Sequence, residues 1–420
     1  VTSDNAPGGA LRVRPIELAR EPNYRRLWLA GACTGVVRWL ELLTASIFVY
    51  ELTGSAFQTA LITFFRFLPM VLFGAMVGAL AERLNRKRLM LGILAVLCVV
   101  TGVIFASAAT GHLTMWQAAL SIFLGGMVFT AEFPVRRTMM GEIAGPKRAG
   151  AALVFDSVTN SATRLIGPLG GGIIYDQVGI HGAYLLCLLL YVLAFLMVLR
   201  VRYTADSQPT ARSKYLTNIM EGLQYIKRQR MIVGALFVTV FTNMFAVPFA
   251  SMIPVIGKET MQLNASLIGI LASAEGIGAM AGTLVIAWWQ PQHLARTYFL
   301  GTIFFMAGVL WFSTLDSFTV AVAVLIATGL GHAGFSACQS AIMFGAATPE
   351  MRSRVLGVLA TCIGAGPLGV LNLGFLAAWL GAGWGVTVMA AEGLVLMAIV
   401  AMIWPELYRG PRRLIERAAE

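Results

Sequence analysis

The chain has 420 residues, of which 58% are apolar and only 12% charged, with a formal net charge of +11. A soluble domain carries about 25% charged and 45–50% apolar residues, so an ordinary soluble enzyme, a disordered chain and a secreted disulfide scaffold are excluded. The apolar residues gather in runs near or above the ~20 residues that cross ~30 Å of hydrocarbon, the mark of a polytopic membrane protein.

The opening stretch, Val1 to Arg26, is polar and basic and shows no signal-peptide pattern. Beyond it hydropathy places twelve spans: 27–50, 57–81, 89–110, 113–135, 150–174 and 181–200, then 231–256, 265–289, 297–315, 318–345, 353–379 and 384–404. Alternate connections differ in charge. One set (Arg12 to Arg26, Arg83 to Arg88, Arg136 to Arg148, Arg200 to Arg230, Arg296, Arg352 with Arg354, and Arg409 to Arg417) holds 27 of the 31 Lys and Arg residues. The opposite set holds Lys258 alone, while Arg38, Arg66 and Arg164 lie inside spans. The positive-inside rule then puts both termini and the long central connection in the cytoplasm. The basic excess is a topology signal, and nucleic acid is rejected as a partner. Trp28, Trp288, Trp289 and Trp404 fall at the basic ends and Trp116, Trp311 and Trp384 at the opposite ends, the pattern of an interfacial aromatic belt.

The central connection divides the chain into a first six-span bundle (1–200), a linker (201–230) and a second six-span bundle (231–420). The halves resemble each other. Gly167-Pro168-Leu169-Gly170 in span five recurs as Gly366-Pro367-Leu368-Gly369 in span eleven, each preceded by a short basic connection containing a proline. Paired spans interrupted by Gly and Pro at matching places in two halves point to a repeat-built transporter with its site between the halves. Cys33, Cys98, Cys187, Cys338 and Cys362 sit in apolar stretches at no paired spacing. The four histidines form no two-histidine ligand pair, and no phosphate-binding loop, GxSxG or HExxH pattern is present. No cofactor or metal and no enzymatic activity are expected.

The connection between spans two and three reads Gly78-Ala79-Leu80-Ala81-Glu82-Arg83-Leu84-Asn85-Arg86-Lys87-Arg88. It resembles the signature loop of the major facilitator superfamily, with Glu82 where the family pattern has Asp and Asn85 where it has Gly. Gly167, Pro168, Gly171 and Gly172 resemble the end of the family's antiporter motif, although its upstream glycines are missing. The stretch from Arg136 to Gly172, with Glu221 to Tyr225, is most similar to the subgroup containing the bacterial enterobactin exporter. The resemblance implies an all-α fold of twelve helices in two pseudo-symmetric six-helix bundles, spanning a bacterial-type inner membrane as a monomer. It also implies gating by Gly78, Glu82, Arg83 and Arg86, with Glu132 and Arg136 as an i,i+4 pair beside the gate. Gly167, Pro168, Gly171 and Gly172 are expected to serve helix packing, as small residues do in membranes.

A charge within hydrocarbon costs roughly 2.5–3.5 kcal/mol on insertion scales, so it is rare without a role. Arg38, Glu41, Arg66, Asp156 and Arg164 lie near midspan in the first half. Arg38 and Glu41 are three residues apart and are expected to neutralise each other. Asp156, Thr159, Asn160, Thr163 and Arg164 form one polar stripe on span five, and Thr59, Thr63 and Arg66 another on span two. In the fold that the resemblance implies, these stripes converge on a slightly positive central cavity suited to an anionic or amphipathic substrate. Asp156 is expected to carry the coupling proton, with Arg66 or Arg38 as its switching partner. In the second half His332 forms a stripe with Ser336 and Gln339, and Asn372 shares a face with Thr361; His332 and Asn372 complete the substrate and proton pathway. The function expected is proton-coupled export of a small siderophore- or drug-like molecule; an importer or facilitator of a metabolite or lipid on the same fold is the alternative.

Overall fold

The computed structural model describes residues 18, 20–81, 84–145, 148–203, 221, 224–289, 291–348 and 351–409, and the side chains of these except 74–81, 154 and 353. Among the described residues all regular structure is helical. The helices are α1 (Pro22–Thr53), α2 (Ala56–Ala81), α3 (Arg86–Ala109), α4 (Met115–Ala144), α5 (Ala149–Val178) and α6 (Ile180–Leu199), then α7 (Arg230–Phe245), a 3-10 turn (Val247–Met252) and α8 (Ile253–Glu259). After these come α9 (Ala265–Trp289), α10 (Leu294–Phe312), α11 (Phe318–Ala346), α12 (Arg352–Ile363), α13 (Gly366–Leu380), α14 (Ala382–Ile403) and the short α15 (Glu406–Arg409).

Among the described residues eleven segments are long and apolar enough to cross a membrane, counting α7 with α8 and α12 with α13 as one each. The remaining long helix, α5, has 30 residues but carries the polar stripe from Asp156 to Arg164. Helix ends follow local chemistry. Gly54, at φ 60°, closes α1 and allows the tight turn into α2. Thr114 opens α4 with a capping box, its backbone N–H donating to Gln117 Oε1 at 2.8 Å. α4 ends only at Gly145, at φ 77°, so it runs past the expected end of span four and includes both Arg136 and Glu142.

Two spans expected to be single helices are broken. Span seven gives way after Phe245, where Pro248 and Pro254 withhold the N–H groups a continuous helix needs. Span eleven breaks at Gly364-Ala365, and α13 restarts with Pro367 in its first turn. In contrast, α5 continues through Pro168.

Glycines set the helix contacts. Gly167 and Gly171 of α5 lie against Trp39 and Leu40 of α1, and Gly172 meets Gly269 of α9 with backbone touching backbone. Gly374 of α13 faces Phe57 and Ala60 of α2. The α5–α9 and α2–α13 contacts join the first six helices to the rest. One apolar core lies within the first six helices, around Leu40, Leu94 and Met139; the largest fills the second half and takes in Leu43, Ile47 and Ala60.

Candidate functional site

A cavity of about 180 Å³ lies where the two sets of helices meet near midspan. Its wall is largely apolar, from residues such as Trp39, Leu43, Met70, Phe249 and Pro367, with Thr63, Asn243, Arg164 and Glu275 as polar groups. The breaks in spans seven and eleven place Val247 to Pro254 and Ile363 to Pro367 on this wall, irregular backbone that membranes tolerate where it lines a cavity.

Arg164 of α5 and Glu275 of α9 form an ion pair across the two halves, Nη2 to Oε2 at 2.9 Å. The other Glu275 oxygen meets His332 Nδ1 of α11 at 2.5 Å. Glu275 and His332 are buried, at 4% and 7% exposure, whereas the Arg164 side chain keeps 28%. His332 stacks on Phe305 at 4.7 Å between ring centroids, and Arg164 lies over Trp39 at 5.2 Å. Nearby, Ser273 donates to the Leu165 carbonyl at 2.8 Å. This is one residue past the carbonyl that Pro168 leaves without an amide partner, so α9 supports α5 where its own ladder is interrupted.

The other midspan charges stay inside the first half, where Glu41 and Arg66 both reach Gly125 of α4. Glu41 accepts from Ser121 of α4 at 2.5 Å. Arg66 is buried at 6% exposure, its Nη1 lies against Gly125, and that nitrogen has no hydrogen-bond partner among the described residues. Arg38 donates to Asn160 Oδ1 at 3.3 Å and covers Phe129 at 3.8 Å. The expected Arg38–Glu41 pair is therefore not formed; one side chain reaches to α5 and α4, the other to Ser121. None of Arg38, Glu41, Arg66 and Asp156 lines the 180 Å³ cavity.

Asp156 does not meet Arg66 or Arg38. Its Oδ1 pairs with Arg136, which also binds Glu132 at 2.7 Å through Nε. Its Oδ2 faces Arg137 Nε at 3.3 Å without hydrogen-bond alignment, so the contact is electrostatic only. The charged members of the cluster all belong to α4 and α5, and Thr34 of α1 donates to Glu132 at 3.4 Å. Gly31 makes room for it on α1, since a Cβ there would lie 2.5 Å from the Arg136 guanidinium carbon. Of the expected gate, Glu82 and Arg83 lie outside the described residues, and of Gly78 only the helical backbone is described. Arg136 already holds two acids. Arg86 pairs with Glu142 and accompanies Tyr203, whose hydroxyl also donates to Glu142. Burial first, and this carboxylate second, hold the Tyr203 hydroxyl above its usual pKa range.

At the end opposite the basic connections, a second polar group joins the halves. Lys258 pairs with Glu51 at 2.6 Å, Tyr175 donates to Glu51 at 2.6 Å, and Tyr50 donates to Glu259 at 2.6 Å. Ser266 donates to Asp176 at 2.8 Å. Sequence reasoning missed Ser121, Glu142, Tyr203, Glu51 and Glu259. Their only common signal is a polar residue at a span end or beside a glycine pair.

Three further expectations change. Asn372 is exposed on α13, away from the Pro367 and Val370 face that lines the cavity, because the break at Gly364 cancels the periodicity linking it to Thr361. Ser336 is exposed, while Gln339 donates to Thr239 at 3.1 Å, so the His332 stripe is split. Trp28 turns inward, stacking on Phe155 and donating to Thr159, and Trp404 packs against Phe237 and Gly234. Trp116, Trp288, Trp289, Trp311 and Trp384 keep the belt, each at least 60% exposed. No group of three metal-ligating side chains occurs among the described residues.

A family model described as transmembrane secretion effector, within the major facilitator superfamily, matches residues 15–410. The chain belongs to that family. It is a multi-pass membrane transporter and not an enzyme. Macrolide efflux protein A of Streptococcus pyogenes is 19% identical over 83% of this chain and 87% of that protein. The multidrug efflux pump Tap of Mycolicibacterium fortuitum is 24% identical over 90% and 93%, and the staphyloferrin A transporter of Staphylococcus aureus 22% over 59% and 62%. Among solved structures, a bacterial homologue of the lysosomal transporter Spinster, in an inward-facing unoccupied conformation, superposes with a TM-score of 0.69 at 15% identity, covering 93% of this chain and 98% of that one. A D-xylose–proton symporter gives 0.70 at 14% identity, covering 93% and 98%. These likenesses give the fold.

Proposed function

We propose that this transporter is a proton-coupled exporter of small amphipathic molecules bearing an anionic group, working by alternating access between the bodies formed by residues 1–200 and 231–420. The observation that carries the reading is the apolar midspan cavity, bounded on one side by the Arg164–Glu275 pair and tied shut at one end by Glu51 with Lys258. Macrolide, multidrug and staphyloferrin A relatives support a drug-like or siderophore-like cargo, and the enterobactin-exporter subgroup is the siderophore form of this reading. Arg38 and Arg66 are buried and form no ion pair among the described residues; with Glu41 as the one acid beside Arg66 at Gly125, two cations against one acid leave a positive field that supports an anionic group. The gathering of Lys and Arg in one set of connections supports a cytoplasmic position for both termini.

Coupling is assigned to Glu275 with His332 in place of Asp156. Asp156 takes its cations from α4, a helix of its own half, and rocking of the halves leaves that cluster intact. Glu275 takes Arg164 from the opposite half. Parting α5 from α9 removes the cation and leaves a buried carboxylate beside His332, a state that one proton neutralises. Arg164 then remains half-solvated on the cavity wall for the substrate.

Inside-out membrane vesicles given a fluorescent anionic amphiphile test the function. With an imposed pH gradient, acid inside, the dye is expected to accumulate and a protonophore to release it. Accumulation indifferent to the gradient, or net movement in the opposite sense, overturns the reading.

A further inference from the structure

α9 and α10 follow each other in sequence but pack on α11 rather than on one another. α10 meets α11 through Gly301, Gly331 and Gly334, and α9 meets it through Gly278 and Gly282. Between these two walls runs a groove of about 960 Å³, against about 180 Å³ for the central cavity. Its lining is graded. Gln292, His293, Arg296 and Thr297 surround the mouth, beside the connection between α9 and α10, and Ile286, Leu300, Phe304 and Leu330 continue toward midspan.

The groove opens outward to hydrocarbon: Leu300, Phe304 and Leu330 are 46%, 51% and 43% exposed. Its mouth lies at the depth of the headgroups, flanked by Trp288 and Trp289 at 88% and 73% exposure. Arg296 and His293 are exposed there, with no ion-pair partner among the described residues. Positive charge at the rim above a glycine-floored apolar trough matches an amphiphile with a negative head and a flexible tail. Basic pockets between membrane helices on the cytoplasmic side recognise anionic headgroups in this way. The outward opening makes the occupant a component of the bilayer and not the cargo, which the inward-facing midspan cavity serves.

We propose that this groove binds an anionic glycerophospholipid from the leaflet on the side of the basic connections. Its phosphate sits at Arg296 and His293, and one acyl chain lies over Gly331 and Gly334 between α9 and α10. The site is independent of transport direction and of the coupling assignment.

The full chain, purified in a neutral detergent, is mixed with phosphatidylglycerol and phosphatidylethanolamine of identical chains, and retained lipid is counted by native mass spectrometry. Phosphatidylglycerol is expected to bind more tightly by about fivefold, the factor one interfacial arginine provides. Arg296→Gln removes that preference and His293→Gln reduces it. Leu300→Trp, filling the trough from an exposed position, lowers retention of both lipids. Equal retention of the two lipids by the unaltered chain, or an unchanged preference in Arg296→Gln, overturns the proposal. Inorganic phosphate that competes phosphatidylglycerol off completely also overturns it, because the site then recognises a free anion and the trough contributes nothing.

Discussion

At the end of the molecule away from the basic connections, polar contacts cross from one half to the other: Glu51 to Lys258, Tyr50 to Glu259 and Asp176 to Ser266. At the basic end, the described ion pairs stay on one side of the divide. Arg86 finds Glu142, Arg136 finds Glu132 and Asp156, Arg230 finds Glu406, and Arg354 finds Glu221 of the central connection. α5 and α9 follow the same division. They touch from Gly172 and Gly269 to Arg164 and Gly276, and beyond that point α9 turns its glycines, Gly278 and Gly282, to α11. Contacts that cross the divide must break for the opposite end to close, whereas contacts within a half travel with it. The difference separates switching residues from structural ones.

The largest effect is expected at the midspan crossing. Glu275→Gln leaves Arg164 without its acid and His332 facing a neutral amide, and removal of one charge of a buried pair costs about 3–5 kcal/mol. Part of that is recovered because Arg164 is 28% exposed. Gradient-driven transport should fall by at least tenfold, the effect of about 1.4 kcal/mol, while substrate exchange without a gradient persists. Asp156→Asn, within one half, should lower folding yield but leave the ratio of driven transport to exchange near that of the unaltered protein. If Asp156→Asn uncouples and Glu275→Gln does not, the division between crossing and non-crossing contacts fails to predict function.

A smaller effect is expected at the tie opposite the basic connections. Lys258 and Glu51 keep 27% and 39% side-chain exposure, so solvent screens them and the pair is worth about 0.2–1 kcal/mol. Lys258→Glu should shift the conformational equilibrium by up to about fivefold toward opening at that end, more where Glu51 now repels. Accessibility of a cysteine introduced at Leu263, buried beside the tie at 8% exposure, reads the shift. The exchange Glu51→Lys with Lys258→Glu should restore the original accessibility, and failure to do so would show that the pair does not act as a unit.

Much of the fold was legible because hydrocarbon imposes length and apolarity on every span, and because arginine placement marks alternate connections. The charges inside spans were legible for the same reason. Their partners were not. Periodicity fixes which face of one helix a side chain shares, but not which neighbour that face meets. Arg38 and Glu41 are one turn apart, yet Arg38 extends to Asn160 and Glu41 to Ser121. The repeated Gly-Pro-Leu-Gly shows the same limit. In α5 the helix continues through Pro168, with Ser273 beneath the loosened carbonyls. In span eleven a second glycine, Gly364, precedes the motif and the helix parts there. Identical tetrapeptides diverge because a flanking residue and a neighbouring helix decide the outcome. Glu142 and Tyr203 escaped notice because they lie at the edges of spans, where hydropathy carries no signal.

The smallest effect belongs to a contact within one half. Tyr203 donates to Glu142 beside Arg86, at the basic end. A hydrogen bond of this kind contributes about 0.5–1.5 kcal/mol, and solvent reduces it here because Glu142 is 45% exposed. Tyr203→Phe should therefore lower the melting temperature slightly and leave transport unchanged, since nothing crosses the divide. The pH dependence gives this prediction a sign. Burial and the Glu142 carboxylate raise the folded-state pKa of Tyr203 above the unfolded value of about 10. The stabilisation is then fully present below that unfolded value and is lost as pH rises through the folded one. Melting curves of the two proteins should differ at pH 8 and converge in strongly alkaline buffer, with Tyr203→Phe as the control for every other group that titrates there. A gap that widens with rising pH would place the hydroxyl as an anion bound to Arg86. An altered transport rate in Tyr203→Phe would make this contact part of the gate despite its lying wholly within one half.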